Sequence, residues 1–204
     1  KNTRRFAWLV PKTRPMDNMA LSFQTPQEDE FAPCLMTLRS LYLGISFPRR
    51  EQHYSRYLTF RDVPQADVEA WKNALLWFLK KLTLKYHRPL LLKSPPHTAR
   101  IRLLLSLFPD ARFVHIVRDP HAVFPSTVRL WKALFEIHAL QTPRFEGLEE
   151  YVLSCFERLY GGFERDRELI GSRRLHELRY EDLVADPLKE MCRLYDGLGL
   201  GGFD

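Results

Sequence analysis

Two basic residues, Lys93 and Arg118, each follow a short apolar run and precede a proline by two positions. The runs read LLLK, which ends at Lys93, and RFVHIVR, which ends at Arg118. If the runs are neighbouring parallel strands, both cations lie at the edge where the carboxyl ends of the strands meet. Open α/β sheets bind ligands at this edge, so the spacing predicts a site for an anion such as phosphate or sulfate.

A helix predicted directly after Arg118 would add groups to this site. Asp119 suits the N-cap, and Pro120 suits the first helical position, where the N–H that proline lacks would be unpaired anyway. The helix would offer its free N–H groups and the positive end of its dipole to the anion. The following turns would add the hydroxyl of Ser126 and the charge of Arg129.

A third apolar run, from Leu175 to Tyr180, would bring Arg179 and Tyr180 to the same edge. Alternatively, Arg118 has only a structural role at this edge, because it could form an ion pair with Asp119 or Glu181. On spacing alone, an ion pair of Arg118 with one of them and an anion site are equally good interpretations.

Hydrophobic periodicity and proline positions predict an α/β chain of one domain, residues 1–204. Residues 1–62 read as loop with short helices, one of them around Pro33 to Gly44, and residues 63–200 read as an α/β core. The predicted strands are Leu90–Leu92, Phe113–Val117 and Leu175–Tyr180. The predicted helices follow the turn and capping signals: Val68 to Leu82 with an end before Pro89, Pro96 to about Phe108, a helix from Pro120, Leu148 to Ile170, and Pro187 to Leu198 capped by Asp186.

Composition excludes several classes of protein. The chain has 45% hydrophobic residues, which argues against disorder, and no apolar run long enough to span a bilayer. A net charge of +6 favours anionic partners, but the basic residues are scattered, which speaks against nucleic acid. Three unpaired cysteines and no His or Cys spacing typical of ligands predict neither disulfides nor a metal site. Without a signal peptide in the sequence, we expect a cytoplasmic location and no stable membrane insertion.

Three segments resemble the PAPS-dependent sulfotransferases, particularly the bacterial and tyrosylprotein-type branch: LLLKSPPH, FPDARFVHIVRDPHAVFPST and LRYEDLVADP. Members of this family share a K-x-P, an R-D-P-x-x-V-x-x-S and a Y-E-D-L motif in this order. The resemblance implies a P-loop-kinase-like three-layer sandwich with a central parallel sheet. It also implies transfer of a sulfuryl group from 3′-phosphoadenosine 5′-phosphosulfate (PAPS) to a hydroxyl or amine of a small molecule, glycan or peptide, without a metal.

The resemblance also implies roles for individual residues. Arg118 and Ser126 match the pair that binds the 3′-phosphate of the donor, which leaves as 3′-phosphoadenosine 5′-phosphate (PAP), and Tyr180 is expected near its adenosine. Lys93 matches the residue that stabilises negative charge on the departing oxygen. The general base is left open: Glu28 in the sequence QEDE is preferred, Glu30 is next, and His97 is a third candidate.

The sequence departs from the family in one main respect. No segment resembles the P-x-R/K-S-G-T-T loop that binds the 5′-phosphosulfate, and no glycine occurs before Gly44. We therefore expect a fragment that lacks an N-terminal strand and P-loop and that is weakly active or inactive by itself. A non-catalytic nucleotide- or anion-binding module and a phosphoryl-transfer relative remain as alternatives.

Three further features leave questions open. Pro125 is expected to kink the helix that starts at Pro120 or to delay its start. Several aromatic residues are interpreted either as core or as the lining of an acceptor pocket: Phe23, Phe31, Tyr42, Tyr54, Tyr57 and Phe60. The sequence does not indicate the acceptor or the oligomeric state.

Overall fold

The structure is a computed structural model that describes residues 25–203 together with residues 13, 19, 20 and 22. Phe23 and most of residues 1–24, part of the predicted loop region 1–62, lie outside the described residues. The short early helices are α1 (Phe31–Thr37), α2 (Leu43–Ser46) and α3 (Glu51–Ser55). The single helix expected around Pro33 to Gly44 is thus two helices, separated after Leu38, which has a left-handed backbone conformation.

The α/β part begins with the long helix α4 (Gln65–Tyr86), as the periodicity predicted. It continues with α5 (Ile101–Leu107), β1 (Phe113–Val117), α6 (Pro120–His138), α7 (Leu148–Asp166), β2 (Leu175–Arg179), α8 (Tyr180–Ala185) and α9 (Pro187–Leu198). The caps predicted for α6 and α9 are confirmed, because Asp119 accepts from the His121 N–H and Asp186 from the Lys189 N–H. The short helix α8 was not predicted.

The expected three-strand arrangement is wrong for the described residues. They contain one two-stranded parallel sheet in which β1 pairs with β2, with Phe113 opposite Leu175 and Val117 opposite Arg179. Leu90–Leu92 is an unpaired connection, and the side chain of Leu91 is 93% exposed. A three-residue run has too few backbone hydrogen bonds to form a strand unless a neighbour pairs with it, and no described segment does so.

Helices cover both faces of the small sheet. On one face, Phe113 and Leu175 pack with a cluster that includes Ile101 and Phe163 of α5 and α7. On the other face, Leu178 of β2 packs against Leu194 and Leu198 of α9. The β1 residues Val114 and Ile116 remain 39% and 51% exposed on that second face. The described part of the chain is therefore mixed α/β, mostly helical, with a small parallel sheet.

The segment that carries the candidate site is fixed by close packing on α7. Pro95–Ala99 forms a 3-10 helix, and a side chain at Gly162 of α7 would come within 3.0 Å of the Ala99 backbone. The expected continuous helix from Pro96 to Phe108 is instead interrupted at Arg100, which has a non-helical backbone conformation. Among the described residues, no helix has both the length and the hydropathy needed to cross a bilayer.

Candidate functional site

An acidic loop, residues 27–30 with the sequence QEDE, lies against residues 93–97, the KSPPH segment, although about 65 positions separate them. The Glu30 N–H donates to the Ser94 hydroxyl at 3.1 Å, and this hydroxyl donates to Asp29 at 3.1 Å. Each of the three carboxylates in the loop binds a different basic side chain in or near residues 93–97. The three carboxylates are therefore in different environments despite being adjacent in sequence.

Glu28 lies between a lysine and a tyrosine. One carboxylate oxygen accepts a hydrogen bond from the Lys93 ammonium, and the other accepts one from the Tyr42 hydroxyl. Burial raises the pKa of the Tyr42 phenol, and the negative charge of Glu28 raises it further. Tyr42 therefore remains a proton donor to Glu28 at neutral pH. The Lys93 side chain is 74% exposed and Glu28 22%, so the ammonium can contact a ligand. We call Glu28, Tyr42 and Lys93 the lysine cluster.

Asp29 positions His97. The carboxylate lies 2.7 Å from His97 Nε2, and Ser94 donates to its second oxygen. Burial raises the pKa of Asp29, but the hydrogen bond and charge of His97 and the bond from Ser94 outweigh it, so the pKa lies below its ordinary value. Asp29 is thus ionised and His97 Nε2 donates to it. The other ring nitrogen, Nδ1, is buried without a partner among the described residues.

Glu30 belongs to a buried ion pair. Its carboxylate and the Arg100 guanidinium are both fully buried and joined by two hydrogen bonds of 2.6 and 3.2 Å. Ser40 and Trp71 donate to the same carboxylate at 2.7 and 3.2 Å. Four donors thus occupy a carboxylate with no access to solvent, which fits a structural role for Glu30 and does not fit the expected role of reserve base.

The second group of candidate residues lies at the carboxyl end of the sheet. Arg118 and Tyr180 directly follow Val117 and Arg179, which are paired in the parallel register. The Arg118 guanidinium stacks 4.3 Å from the centre of the Tyr180 ring. We call Arg118, Tyr180 and the two α6 residues Ser126 and Arg129 the arginine edge.

The structural ion pair considered for Arg118 is not observed. No carboxylate of the described residues lies within 4 Å of its guanidinium. Glu181 instead accepts from the Asp119 N–H at 3.2 Å, and hydrogen bonds from its own N–H and that of Asp119 lower its pKa. Arg118 therefore keeps its hydrogen-bonding capacity for a ligand.

The N–H groups at the amino end of α6 were expected to be free, but they are hydrogen-bonded. The Asp119 carboxylate accepts from the His121 N–H, and the backbone carbonyl oxygen of Asp119 accepts from the N–H groups of Ala122 and Val123. Ser126 and Arg129 are both exposed, and the helix runs past Pro125 without a delayed start. An anion at this edge would thus be held mainly by side chains, with the helix dipole as a secondary contribution.

The predicted aromatic group divides between core and site. Tyr57 and Phe60 are buried in the cluster around Trp71, which agrees with the core interpretation. Phe31 is 44% exposed, and its ring lies 5.4 Å from that of Tyr42 in the lysine cluster. Among the described members of this group, Phe31 and Tyr42 are the pair next to Lys93.

The structure brings the predicted residues Lys93 and Glu28 into contact, and their catalytic roles stay predictions. The contacts of Tyr42 with Glu28 and of Asp29 with Ser94 and His97 were not predicted. Tyr42 lies fourteen positions from Glu28 with no periodic relation to it, so the sequence holds no signal for this contact. In the described part of the chain, no group of three or more His, Cys, Asp or Glu side chains is arranged to hold a metal ion. A reaction without metal stays a prediction.

Comparison with known proteins gives matches over nearly the whole chain. The model of a family described as the sulfotransferase family matches residues 10–204. The omega-hydroxy-beta-dihydromenaquinone-9 sulfotransferase Stf3 of Mycobacterium tuberculosis is 47% identical over 197 residues, which are 97% of this chain and 51% of that protein. The protein of the same name from Mycobacterium bovis gives the same values. The chain thus spans about half the length of these relatives. No solved structure gives a significant match.

Proposed function

The chain belongs to the sulfotransferase family, as its motifs predicted, and we propose that the protein transfers a sulfuryl group from PAPS to the hydroxyl of a lipid of the menaquinone class. The observation that carries this proposal is the lysine cluster, in which an exposed ammonium and a carboxylate lie in direct contact. Sulfuryl transfer needs both a cation for the leaving group and an acceptor for a proton.

In the proposed reaction, the acceptor oxygen forms a bond to sulfur while the bond between sulfur and the phosphate oxygen of the donor breaks. The electron pair of that bond stays on the phosphate oxygen, and Lys93 stabilises the resulting charge. Glu28 takes the proton of the acceptor hydroxyl. In the absence of donor the two side chains bind each other, so Lys93 must exchange Glu28 for the donor oxygen, and this exchange frees the carboxylate for the proton.

Among the three candidate bases, the contacts favour Glu28. Glu30 is excluded from solvent by its four donors. His97 remains the second candidate because its unpartnered Nδ1 has no competing hydrogen bond, and Asp29 holds the ring in place. Tyr42 is a positioning residue that holds the Glu28 carboxylate toward Lys93.

The arginine edge suits the 3′-phosphate of PAPS. Arg118 has no carboxylate partner among the described residues, and a guanidinium binds phosphate oxygens through paired, charge-assisted hydrogen bonds. Ser126 would add a hydroxyl donor and Arg129 a second charge, while Tyr180 offers a ring beside the nucleoside. Helices on both faces of the sheet support the three-layer, P-loop-kinase-like fold that the family implies.

The acceptor class rests on the two mycobacterial relatives, which are named as sulfotransferases of a hydroxylated menaquinone. The half-exposed Phe31 ring beside Tyr42 provides an apolar contact close to the proposed base. Quinone and isoprenoid groups are apolar, so such a surface fits them better than it fits a glycan or an acidic peptide.

The proposal is tested by measuring transfer from sulfur-labelled PAPS to an omega-hydroxylated menaquinone in detergent micelles. The assay uses the full-length protein encoded by the gene. We expect labelled product, and a kcat lowered about 100- to 1000-fold in Lys93→Met. Lys189→Met, which removes an exposed lysine of α9, is the matched control and should retain kcat. Absence of product would contradict the proposal, and PAP binding without transfer would favour the non-catalytic binding module instead.

A further inference from the structure

The carboxyl-terminal half of α4 and the residues after it, residues 76–91, form a surface that we call the α4 tip. We propose that the α4 tip docks the protein on the surface of an anionic phospholipid bilayer. The proposal concerns binding at the lipid headgroups and the outer acyl region and does not involve a membrane-spanning segment.

Large apolar side chains are unusually exposed on the α4 tip. Trp77 is 49% exposed, Leu84 75% and Leu91 93%. Trp77 and Leu84 are seven residues apart, so they lie on the same face of the helix two turns from each other. Single exposed leucines are common on protein surfaces, but here Lys80 and Lys81 lie between Trp77 and Leu84, so this helical face combines exposed apolar side chains with cations.

A groove of about 520 Å³ adjoins these residues. Its lining combines four apolar side chains with three polar ones: Leu76, Leu79, Leu84 and Phe108 with Lys80, Thr83 and His87. This combination suits a phospholipid, which has an apolar acyl chain next to a charged headgroup.

The α4 tip is basic and has no acidic residue. Residues 70–109 contain eight of the 31 Lys and Arg residues and none of the 25 acidic ones. Four of the eight pair with carboxylates from outside this range: Lys72, Lys93, Arg100 and Arg102. The other four all lie in the α4 tip: Lys80, Lys81, Lys85 and Arg88. Such a concentration of positive charge is complementary to the surface of an anionic bilayer and attracts it over about one Debye length.

Three of the four basic side chains of the α4 tip lie near aromatic rings. Lys81 Nζ is 3.3 Å from the centre of the Trp77 ring. Lys85 Nζ and the Arg88 guanidinium carbon lie 4.9 and 5.5 Å from the centre of Tyr86. In the described part of the chain, neither these cations nor Lys80 make an ion pair. Aromatic rings beside unpaired cations, next to exposed leucines, are typical of surfaces that lie at the membrane interface.

The α4 tip is connected directly to the lysine cluster. The helix is capped by His87, and Lys93 follows six residues later. Six extended residues span at most about 20 Å, so the lysine cluster lies within that distance of the end of α4. A bilayer bound at the α4 tip would thus lie within about 20 Å of Lys93; the link of this surface to the acceptor rests on the proposed function.

Vesicle binding tests the docking surface without donor or acceptor. The purified protein is sedimented with vesicles of phosphatidylcholine alone and of phosphatidylcholine with phosphatidylglycerol at two to one. We expect binding only to the anionic vesicles, weakened by salt. Lys80→Glu/Lys81→Glu should lower the partition coefficient more than about 20-fold, since each cation near an anionic surface contributes roughly fivefold. Trp77→Ser/Leu84→Ser should lower it as well.

Two matched controls separate the α4 tip from general charge and general hydrophobicity. Arg165→Glu/Lys189→Glu makes the same change of charge on α7 and α9, and Leu188→Ser removes a leucine of α9 that is 74% exposed. Both should bind vesicles with a partition coefficient within about threefold of wild type, and thermal unfolding should show that all variants are folded.

Three outcomes would overturn the proposal: equal weakening by the tip and control variants, no binding to anionic vesicles, or tighter binding of a DNA oligonucleotide through the same residues. Vesicle binding without sulfuryl transfer would contradict the proposed function alone, and transfer in micelles without vesicle binding would contradict the docking surface alone.

Discussion

Two arginines of this protein, Arg100 and Arg118, lie in opposite environments. The Arg100 guanidinium is fully buried and donates to Glu30 and to the carbonyl oxygens of Tyr57 and Leu58. The Arg118 guanidinium is exposed and contacts the ring of Tyr180. The two environments imply different roles. A cation whose three nitrogens are all hydrogen-bonded holds the acidic loop in place, and a cation without a carboxylate partner among the described residues is available to bind a ligand.

The largest expected effect tests the structural half of this comparison. Arg100→Met leaves the Glu30 carboxylate buried without its charge partner, which should lower the free energy of unfolding by about 3–5 kcal/mol. Arg118→Met, at an exposed position, should change it by less than about 0.5 kcal/mol. Urea denaturation measures both. Equal effects of the two substitutions would show that the environments do not differ as described.

The next effect tests the functional half. Arg118→Met removes the proposed charge-assisted contact to the 3′-phosphate, worth about 1.5–3 kcal/mol in total, so the affinity for PAP should fall roughly 10- to 100-fold. Calorimetric titration measures the affinity, with 5′-AMP as the ligand that lacks the 3′-phosphate. Arg118→Met should bind 5′-AMP as wild type does. A parallel loss for both nucleotides would contradict a contact to the 3′-phosphate.

Asp29 gives a pH-dependent test on the side of the lysine cluster. Its pKa lies below the ordinary value of 3.8, so its contribution to stability is complete above that value and is lost as the pH falls through the lower pKa of the folded state. Asp29→Asn should therefore cost about 1–3 kcal/mol at neutral pH and progressively less below about pH 4. Urea denaturation at several pH values measures this, and a cost that does not depend on pH would show that the Asp29 charge is not what positions His97.

The smallest effect concerns the stacking partner of Arg118. Tyr180→Leu removes a cation–π contact at an exposed site, which is worth about 0.5–1 kcal/mol. We expect the affinity for PAP to fall about two- to fivefold in the same titration. Tyr180→Phe keeps the ring and should bind as wild type; a loss equal to that of Tyr180→Leu would point to the hydroxyl instead.

The sequence predicted the elements that depend on local signals. Strand β1 and helix α9 have their predicted bounds, and helix α6 begins at Pro120 as predicted. The two helix starts were predictable because Asp119 and Asp186 are caps that act within three residues. The strand predicted at Leu90–Leu92 failed because a strand requires a partner, which local sequence does not specify. The helix break at Arg100 was also not predictable, since the guanidinium is held by groups 42 to 70 positions away.

The candidate site shows the same division. Lys93 and Arg118 were candidates from the sequence because each stands at the end of an apolar run and in a motif shared with a family, and their roles stay predictions. The contact of Tyr42 with Glu28 and the burial of Glu30 depend on how the acidic loop packs, and three adjacent carboxylates offer no local signal that separates them.

A double-mutant cycle on Lys93 and Glu28 tests the central claim most directly. The kcat of sulfuryl transfer is measured in Lys93→Met, in Glu28→Gln and in the double variant. If the two side chains act in one transition state, each single change lowers kcat about 100-fold or more, and the double variant is little worse than the slower single variant. Losses that multiply, or a Glu28→Gln variant with the kcat of wild type, would contradict the claim that the lysine cluster performs the transfer.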